Sequence, residues 1–203
     1  MTESPKLRKQ MLVRDAIFQS AIELFARQGF DQTTVEEVAH AAGVSRRTFF
    51  RYFTSKDDLL AVCIVQYGES LLQTITSCAA GMDPMAMVRA TVMQTVASSG
   101  ALPRTRQIVQ IAVGSRAARQ AYQSRLIDVE DALAAAYARK LPEDTPPQML
   151  PRMLAMLTLM VMNIAIGAWY HGECEDLDAA ADEVLLRLRT LFEAMQQAPA
   201  PRR

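Results

Sequence analysis

The stretch Thr33–Phe53, TTVEEVAHAAGVSRRTFFRYF, decides how this chain reads. Each of its two threonines has a glutamate three residues on, Thr33 with Glu36 and Thr34 with Glu37, so either pair can form a capping box that opens a helix. That helix is short, about Val35 to Ala42. Gly43 suits a tight turn, Val44 can plug the angle behind it, and Ser45 is a good N-cap for a second short helix from Arg46 to about Phe53. The pattern has a use. A major groove about 12 Å wide admits one helix, and a second must brace it across the backbone. Val35, Val38 and Ala39 face inward on the brace, while Phe49 and Phe53, four apart, anchor the reading helix as core residues.

Arg46, Arg47, Thr48, Phe50, Arg51 and Tyr52 are left to divide between groove, backbone and solvent. A lone surface arginine is more often a solvated charge than a base contact, but three on one short helix shift the reading. Arg46 and Arg47 lie in the first turn, where either can pair with a guanine edge bidentately. Thr48 suits a thymine methyl or a phosphate. Ser45 caps that same end. Tyr52 and Lys56 sit further along, placed for phosphate, and Thr34 can bond a phosphate beside the free N–H groups of its own helix. Phe50 is ambiguous between sugar-phosphate contact and packing. Lys6, Arg8 and Lys9 form a short basic arm, and His40 is a surface residue of the brace.

Working outward, almost everything reads helical, because no long run alternates at period two. A first helix spans about Leu7 to Gln28, and Gly29 supplies its C-cap. Ser55 and Asp58 make another capping pair ahead of a fourth helix from Lys56 to about Ala79. Further helices fit Pro84–Ser98, Pro103–Val113, Ser115–Lys140, Leu150–His171 and Asp178–Gln197. Gly100 breaks the chain between two of them, residues 141–148 hold three prolines and form a loop, and the tail APAPRR frays. The expectation is an all-α protein of about nine helices: a helix-turn-helix domain at 1–55 and a larger helical domain at 56–203.

Composition narrows the function. The 203 residues carry 22 basic and 22 acidic side chains, yet residues 1–56 hold nine Lys or Arg against six Asp or Glu, so the positive end is the N-terminal one. Cys63, Cys78 and Cys174 show no paired spacing, and His40 and His171 fall in no metal-ligand pattern, so free thiols, no metal and no cofactor are expected. No acid pair, nucleophile–base arrangement or phosphate loop is visible, which argues against an enzyme. Met153–Trp169 is apolar but short for a membrane span, and the N-terminus leads into no signal-like run, so a soluble, cytoplasmic protein is expected, with no membrane partner. A helical protein-interaction module would explain the apolar stripes but not the basic turn at Arg46.

Three runs carry a resemblance: A-x-x-L-F-x-x-x-G-F at Ala21–Phe30, T-T-V-x-x-V-A at Thr33–Ala39, and A-G-V-S-x-x-T-F-F-x-Y-F-x-S-K-x-x-L at Ala42–Leu59. Over about a quarter of the chain they resemble the N-terminal domain of the TetR/AcrR family of bacterial transcriptional regulators. The resemblance implies a homodimer that binds a double-stranded DNA operator through three N-terminal helices. It implies a body holding the dimer interface and usually a ligand pocket, and most often a repressor released by a small molecule, an activator being the alternative. It places Thr34, Arg46, Arg47, Thr48, Phe50, Tyr52 and Lys56 near DNA. Phe50 departs from the pattern, for many relatives have there a tyrosine whose hydroxyl bonds a phosphate.

In the body, Ala155, Leu159, Met162, Ile166 and Trp169 recur at three and four, as do Val184, Leu188, Leu191 and Met195. Two such helices from each of two subunits make a four-helix bundle. Packing within one chain is the alternative, and the resemblance favours the dimer. A pocket for an unknown apolar or amphipathic effector is expected among the fourth to eighth helices, with Tyr67, Gln110, Tyr122, Met156, Asn163 and Tyr170 as candidate lining. Asn163 is the sole strongly polar side chain in its apolar stretch and needs a partner if buried.

Overall fold

Nine helices and no strand make up the described residues of the computed structural model, which are 4–98, 102–143 and 149–197. The helices are α1 (Pro5–Gln28), α2 (Val35–Ala41), α3 (Arg46–Tyr52), α4 (Lys56–Ser77), α5 (Pro84–Ser98), α6 (Leu102–Gly114), α7 (Arg116–Ala138), α8 (Met149–Tyr170) and α9 (Leu177–Gln197). Each lies within two residues of its sequence-based bounds. Gly100, most of the three-proline loop, the tail and the side chain of Cys63 lie outside the described residues. Gly29 and Gly43 take positive φ, at 91° and 66°, where a Cβ would be strained.

By packing, the chain divides into two compact units. The first comprises Met1–Tyr67 with Ala101–Asp128. Its core takes Ile17, Ile22 and Phe25 from α1, Val38 from α2, Phe49 from α3 and Leu59 from α4, and also Ile111 from α6 and Ala118 from α7. This packing unit extends past residue 55 and takes in α6, which lies against α1. Ser115, buried ahead of α7, caps it by accepting the Ala118 N–H at 3.1 Å.

The second unit comprises Gly68–Gly100 with Val129–Arg203. Helices α5, α8 and α9 pack on one another. Gly68 lets α4 approach α7, since a Cβ built there would fall 2.9 Å from Val129 Cγ2. Lys140 donates to the Thr76 and Cys78 carbonyls at 2.7 Å each, satisfying acceptors at the end of α4. In the interior, Thr158 donates its hydroxyl to the Leu154 carbonyl at 2.8 Å and lies 2.7 Å from the Tyr137 hydroxyl. Its one proton is committed, so Tyr137 is the donor of that pair. Helices α4 and α8 are long and apolar enough to cross a membrane by length and composition. In α8, however, Leu154, Thr158, Val161 and Ala165 turn one face fully into the unit's core.

Candidate nucleic-acid interface

The brace opens on Thr34, which the structure selects over Thr33. Thr34 Oγ1 accepts the Glu37 N–H at 3.2 Å, and Glu37 Oε2 accepts the Thr34 N–H at 2.8 Å and the Thr34 hydroxyl at 2.9 Å. Thr33 is buried instead, donating its hydroxyl to the Gly29 carbonyl at 2.7 Å. The donors at Thr34, the backbone N–H first, hold the Glu37 carboxyl below its ordinary value. Two short bonded ends therefore fix where α2 begins.

Helix α3 is seated from below. Phe49 is fully buried and lies 5.8 Å, ring to ring, from buried Phe53. Val44 and Tyr52 pack partly against the same core. Ser45 Oγ accepts the Thr48 N–H at 3.1 Å and pairs with the Thr48 hydroxyl at 3.0 Å, so the expected N-cap is made. The Asp58 N–H donates to Ser55 Oγ at 3.2 Å as expected, but the Asp58 carboxylate accepts from the Thr54 N–H and hydroxyl, at 3.0 and 3.1 Å, rather than from Ser55.

The outer face of α3 carries Arg46, Arg47, Phe50 and Arg51, all exposed, with Thr48 and Tyr52 half-buried. Arg46 is held on two sides. Its Nε donates to Glu36 of the brace at 2.9 Å, and its guanidinium lies 5.5 Å from the Phe50 ring centroid. Phe50 also meets Phe49 edge-on, so it packs beneath arginine rather than standing alone. Arg51 lies over the Tyr52 ring and donates to its hydroxyl at 3.3 Å. Among the described residues Arg47 makes no ion pair. Exposed pairs of this sort are weak, about 0–1 kcal/mol, so they orient the arginines without locking them. Glu36 had no local sequence signal as Arg46's partner, because ten residues and a turn separate them.

Lys56, expected from the sequence to be placed for phosphate, also has partners within the chain. Its ammonium donates to the carbonyls of Phe30 at 2.8 Å, Asp31 at 3.3 Å and Thr33 at 3.3 Å, and sits 4.5 Å from the Phe30 ring centroid. His40 is exposed, as expected.

The body residues separate. Of the candidate effector residues, Tyr67, Gln110 and Tyr122 belong to the first unit and Met156, Asn163 and Tyr170 to the second. Burial raises the Tyr67 phenol well above its ordinary value, with Tyr122 adding to it. Asn163 is exposed, so it imposes no buried demand. Met162, Trp169 and Val184 from the expected dimer stripe are buried in the chain's own second unit. Leu159, Ile166 and Leu188 are half-buried, and Leu191 is exposed. Met195 of the same stripe is exposed too, and with it a further set faces outward: Met149, Met153, Met156, Met160 and Ile164 on α8, with Leu186 and Phe192 on α9. Of these, Met153, Met156, Met160, Leu186 and Phe192 line an apolar groove of about 1360 Å³ with Met85 of α5, beside the Arg89–Asp182 and Arg189–Glu193 pairs. Among the described residues no cluster of three potential metal ligands occurs.

Comparison with known proteins bears on this geometry. A model of the bacterial regulatory proteins of the tetR family matches residues 17–63, the segment that holds α2, α3 and their supports. The chain is 28% identical over 184 residues to the HTH-type transcriptional regulator TcmR of Streptomyces glaucescens, covering 86% of this chain and 81% of that protein. Among solved structures it is similar to NalD, the secondary repressor of the MexAB-OprM multidrug efflux pump in Pseudomonas aeruginosa, at TM-score 0.64 and 21% identity, over 90% of this chain and 96% of that one. It is also similar to the transcriptional regulator FadR of Bacillus subtilis in complex with stearoyl-CoA, at TM-score 0.58 and 19% identity, over 84% and 94%.

Proposed function

We propose, from the premise that this chain belongs to the TetR/AcrR family of bacterial transcriptional regulators, that it is a cytoplasmic repressor and not an enzyme, one that leaves a palindromic operator when it binds a small apolar or amphipathic ligand. The observation that carries the reading is the first turn of α3. Arg46, Arg47 and Thr48 project from a helix whose opposite side is clamped by Phe49 and Phe53. Arg46 and Arg47 read guanine edges, and Thr48 meets a thymine methyl or a phosphate. Ser45 and Tyr52 bond backbone phosphates, and Thr34 does so once its hydroxyl turns from Glu37; such contacts fix register without reading sequence. Phe50 lends only apolar contact and support to Arg46. Residues 1–55 form the DNA-contacting domain, and residues 56–203 the ligand-binding and dimerisation domain.

The exposed faces of α8 and α9 support a homodimer. A lone soluble chain rarely exposes an apolar stripe of this extent. The groove's volume exceeds the roughly 300–1,000 Å³ of small-molecule sites, which fits helices of a second copy better than one ligand. Two-fold pairing then presents two heads to two half-sites. Methionines suit such a face because they adapt to irregular partners.

Selection of duplexes from a random-sequence pool tests the proposal. Enrichment of an inverted repeat, bound by a dimer with salt-dependent affinity, is the expected result. Binding with no sequence preference would sink it. Release is tested next with long-chain acyl-CoA, a molecule of the amphipathic kind that the FadR neighbour was solved with. The ligand must favour one of two body states to loosen DNA, so proven binding with unchanged operator affinity would refute release by that class.

A further inference from the structure

We propose that Glu36 and Phe50 are positioning residues that aim the Arg46 fork at one guanine of each half-site, and so set how strictly that base is required without reading it themselves. The inference deepens the DNA-binding reading above and rests on it.

Glu36 lies in the first turn of α2 and Arg46 opens α3, so their ion pair spans the turn between the two helices. A guanidinium carries five N–H donors in one plane, one on Nε and two on each Nη. Glu36 accepts the Nε–H of Arg46, at 2.9 Å. The donors at the far end of the fork are not used by that bond. A guanine takes one from each Nη, on its O6 and N7. The pair therefore holds the side chain by its shaft and leaves the reading end open.

Phe50 holds the same group from a second direction. The Arg46 guanidinium lies 5.5 Å from the Phe50 ring centroid, and Phe50 meets fully buried Phe49 edge-on. The contacts from Arg46 through Phe50 to Phe49 thus tie an exposed arginine to the core. A carboxylate on one side and a ring on another fix the direction of the fork, which neither does alone. This gives Phe50 a task in place of the phosphate bond that a phenylalanine cannot make.

Arg47 is the internal comparison. It is exposed on the same turn and makes no ion pair among the described residues. Such an arginine gives up its rotamer freedom only when it docks, and it serves a phosphate as well as a base. Arg46 has given up part of that freedom before DNA arrives. The carboxylate beside it also opposes phosphate oxygens, so contact with unrelated DNA is disfavoured. The pair is weak in water, and it strengthens as the interface sheds water. Arg46 therefore gains at its own guanine and loses elsewhere.

Single-base-pair replacements across a duplex selected by the wild-type protein test the assignment. Wild type is expected to penalise replacement of one G·C pair in each half-site by roughly tenfold or more, and Arg46→Ala to be indifferent to it. Glu36→Gln and Glu36→Ala are expected to cut the penalty at that same pair by roughly threefold or more, with penalties at other pairs unchanged. Phe50→Leu, which keeps apolar bulk and removes the ring, is expected to cut it too, and Phe50→Tyr, which restores a ring, to recover it. Glu36 variants that change affinity for every duplex by one common factor would make Glu36 a surface charge or a fold support only, and overturn the proposal. A penalty lost at a pair other than that of Arg46 would make Glu36 a reader in its own right, and also overturn it. So would an Arg46→Ala protein that keeps every penalty of the wild type. If the wild-type protein selects no sequence, the regulator reading itself fails, and that outcome is visible before any variant is made.

Discussion

Replacing Gly68 by alanine is expected to destabilise the protein even though it improves the helix. Alanine is favoured over glycine in a helix interior by about 1 kcal/mol. Against that gain stands the geometry. The new Cβ would lie 2.9 Å from Val129 Cγ2 and 3.1 Å from Cγ1, where carbon–carbon contacts prefer about 3.5–4.0 Å. Val129 cannot swing aside cheaply, because β-branching leaves one strongly preferred rotamer in a helix. The helices must part, and overpacking of this size costs about 1–3 kcal/mol. The net is a destabilisation of about 0–2 kcal/mol. Val129→Ala removes both methyls and reverses the sign, so Gly68→Ala should stabilise in that background by about 0.5–1 kcal/mol. Chemical denaturation of the four proteins of the cycle, at one protomer concentration, measures the coupling, which is expected at about 1–3 kcal/mol. Gly68→Ala stabilising equally in both backgrounds would refute the reasoning, since the close approach would then carry no energy.

Three further outcomes follow from the site and the core. Arg46→Ala should reduce discrimination between selected and scrambled duplexes by the equivalent of about 1–3 kcal/mol, while Glu36→Gln, which frees Arg46 and removes a carboxylate beside DNA, should raise affinity for scrambled duplex; titrations of both duplexes check this. The Glu37 carboxyl is held below its ordinary value by Thr34, so its contribution is present above the unfolded-state pKa and lost as pH falls through the folded one. The Tm advantage of wild type over Glu37→Gln should therefore be constant near neutrality and shrink below about pH 4–5, and a difference that grows in acid would contradict the sign. In the core, Tyr137→Phe removes a donor from Thr158 and should cost about 1 kcal/mol in denaturation. Thr158→Val takes that acceptor from the Tyr137 hydroxyl, leaving it Thr91, and the double replacement should recover part of any loss.

The head was legible because its instructions are local. Thr34 with Glu37, Gly43, and Ser45 with Thr48 each act over three or four residues, and the structure realises them where the spacing placed them. Only the choice between Thr33 and Thr34 needed coordinates, because both have a glutamate at the right offset. What the sequence could not show is contact between residues far apart in it. Asp31 meets Ser115 across 84 residues, and Lys56 meets Phe30 across 26; neither leaves a periodic trace. The surroundings therefore decide what a residue does.

Helix α8 shows a second limit, and a more general one. A stripe at three and four announces which way a helix faces only when the opposite side is polar. Met149–Tyr170 is apolar nearly all round, with one stripe through Ala155, Met162 and Trp169 and another through Met153, Met156 and Met160. The first is buried in the chain's own unit and the second is exposed, yet both obey the same period. Composition gave one clue. The buried stripe takes alanine and tryptophan, which fill defined spaces, while the outward one is almost wholly methionine, which fits a partner surface of any detailed shape. Asn163 follows the same division. As the polar residue of its apolar stretch it needs a bond only if buried, and it lies beside Ile164 on the exposed side, where water supplies one. In a helix with two apolar faces the period alone does not say which face the chain's own core takes, and only the packing does.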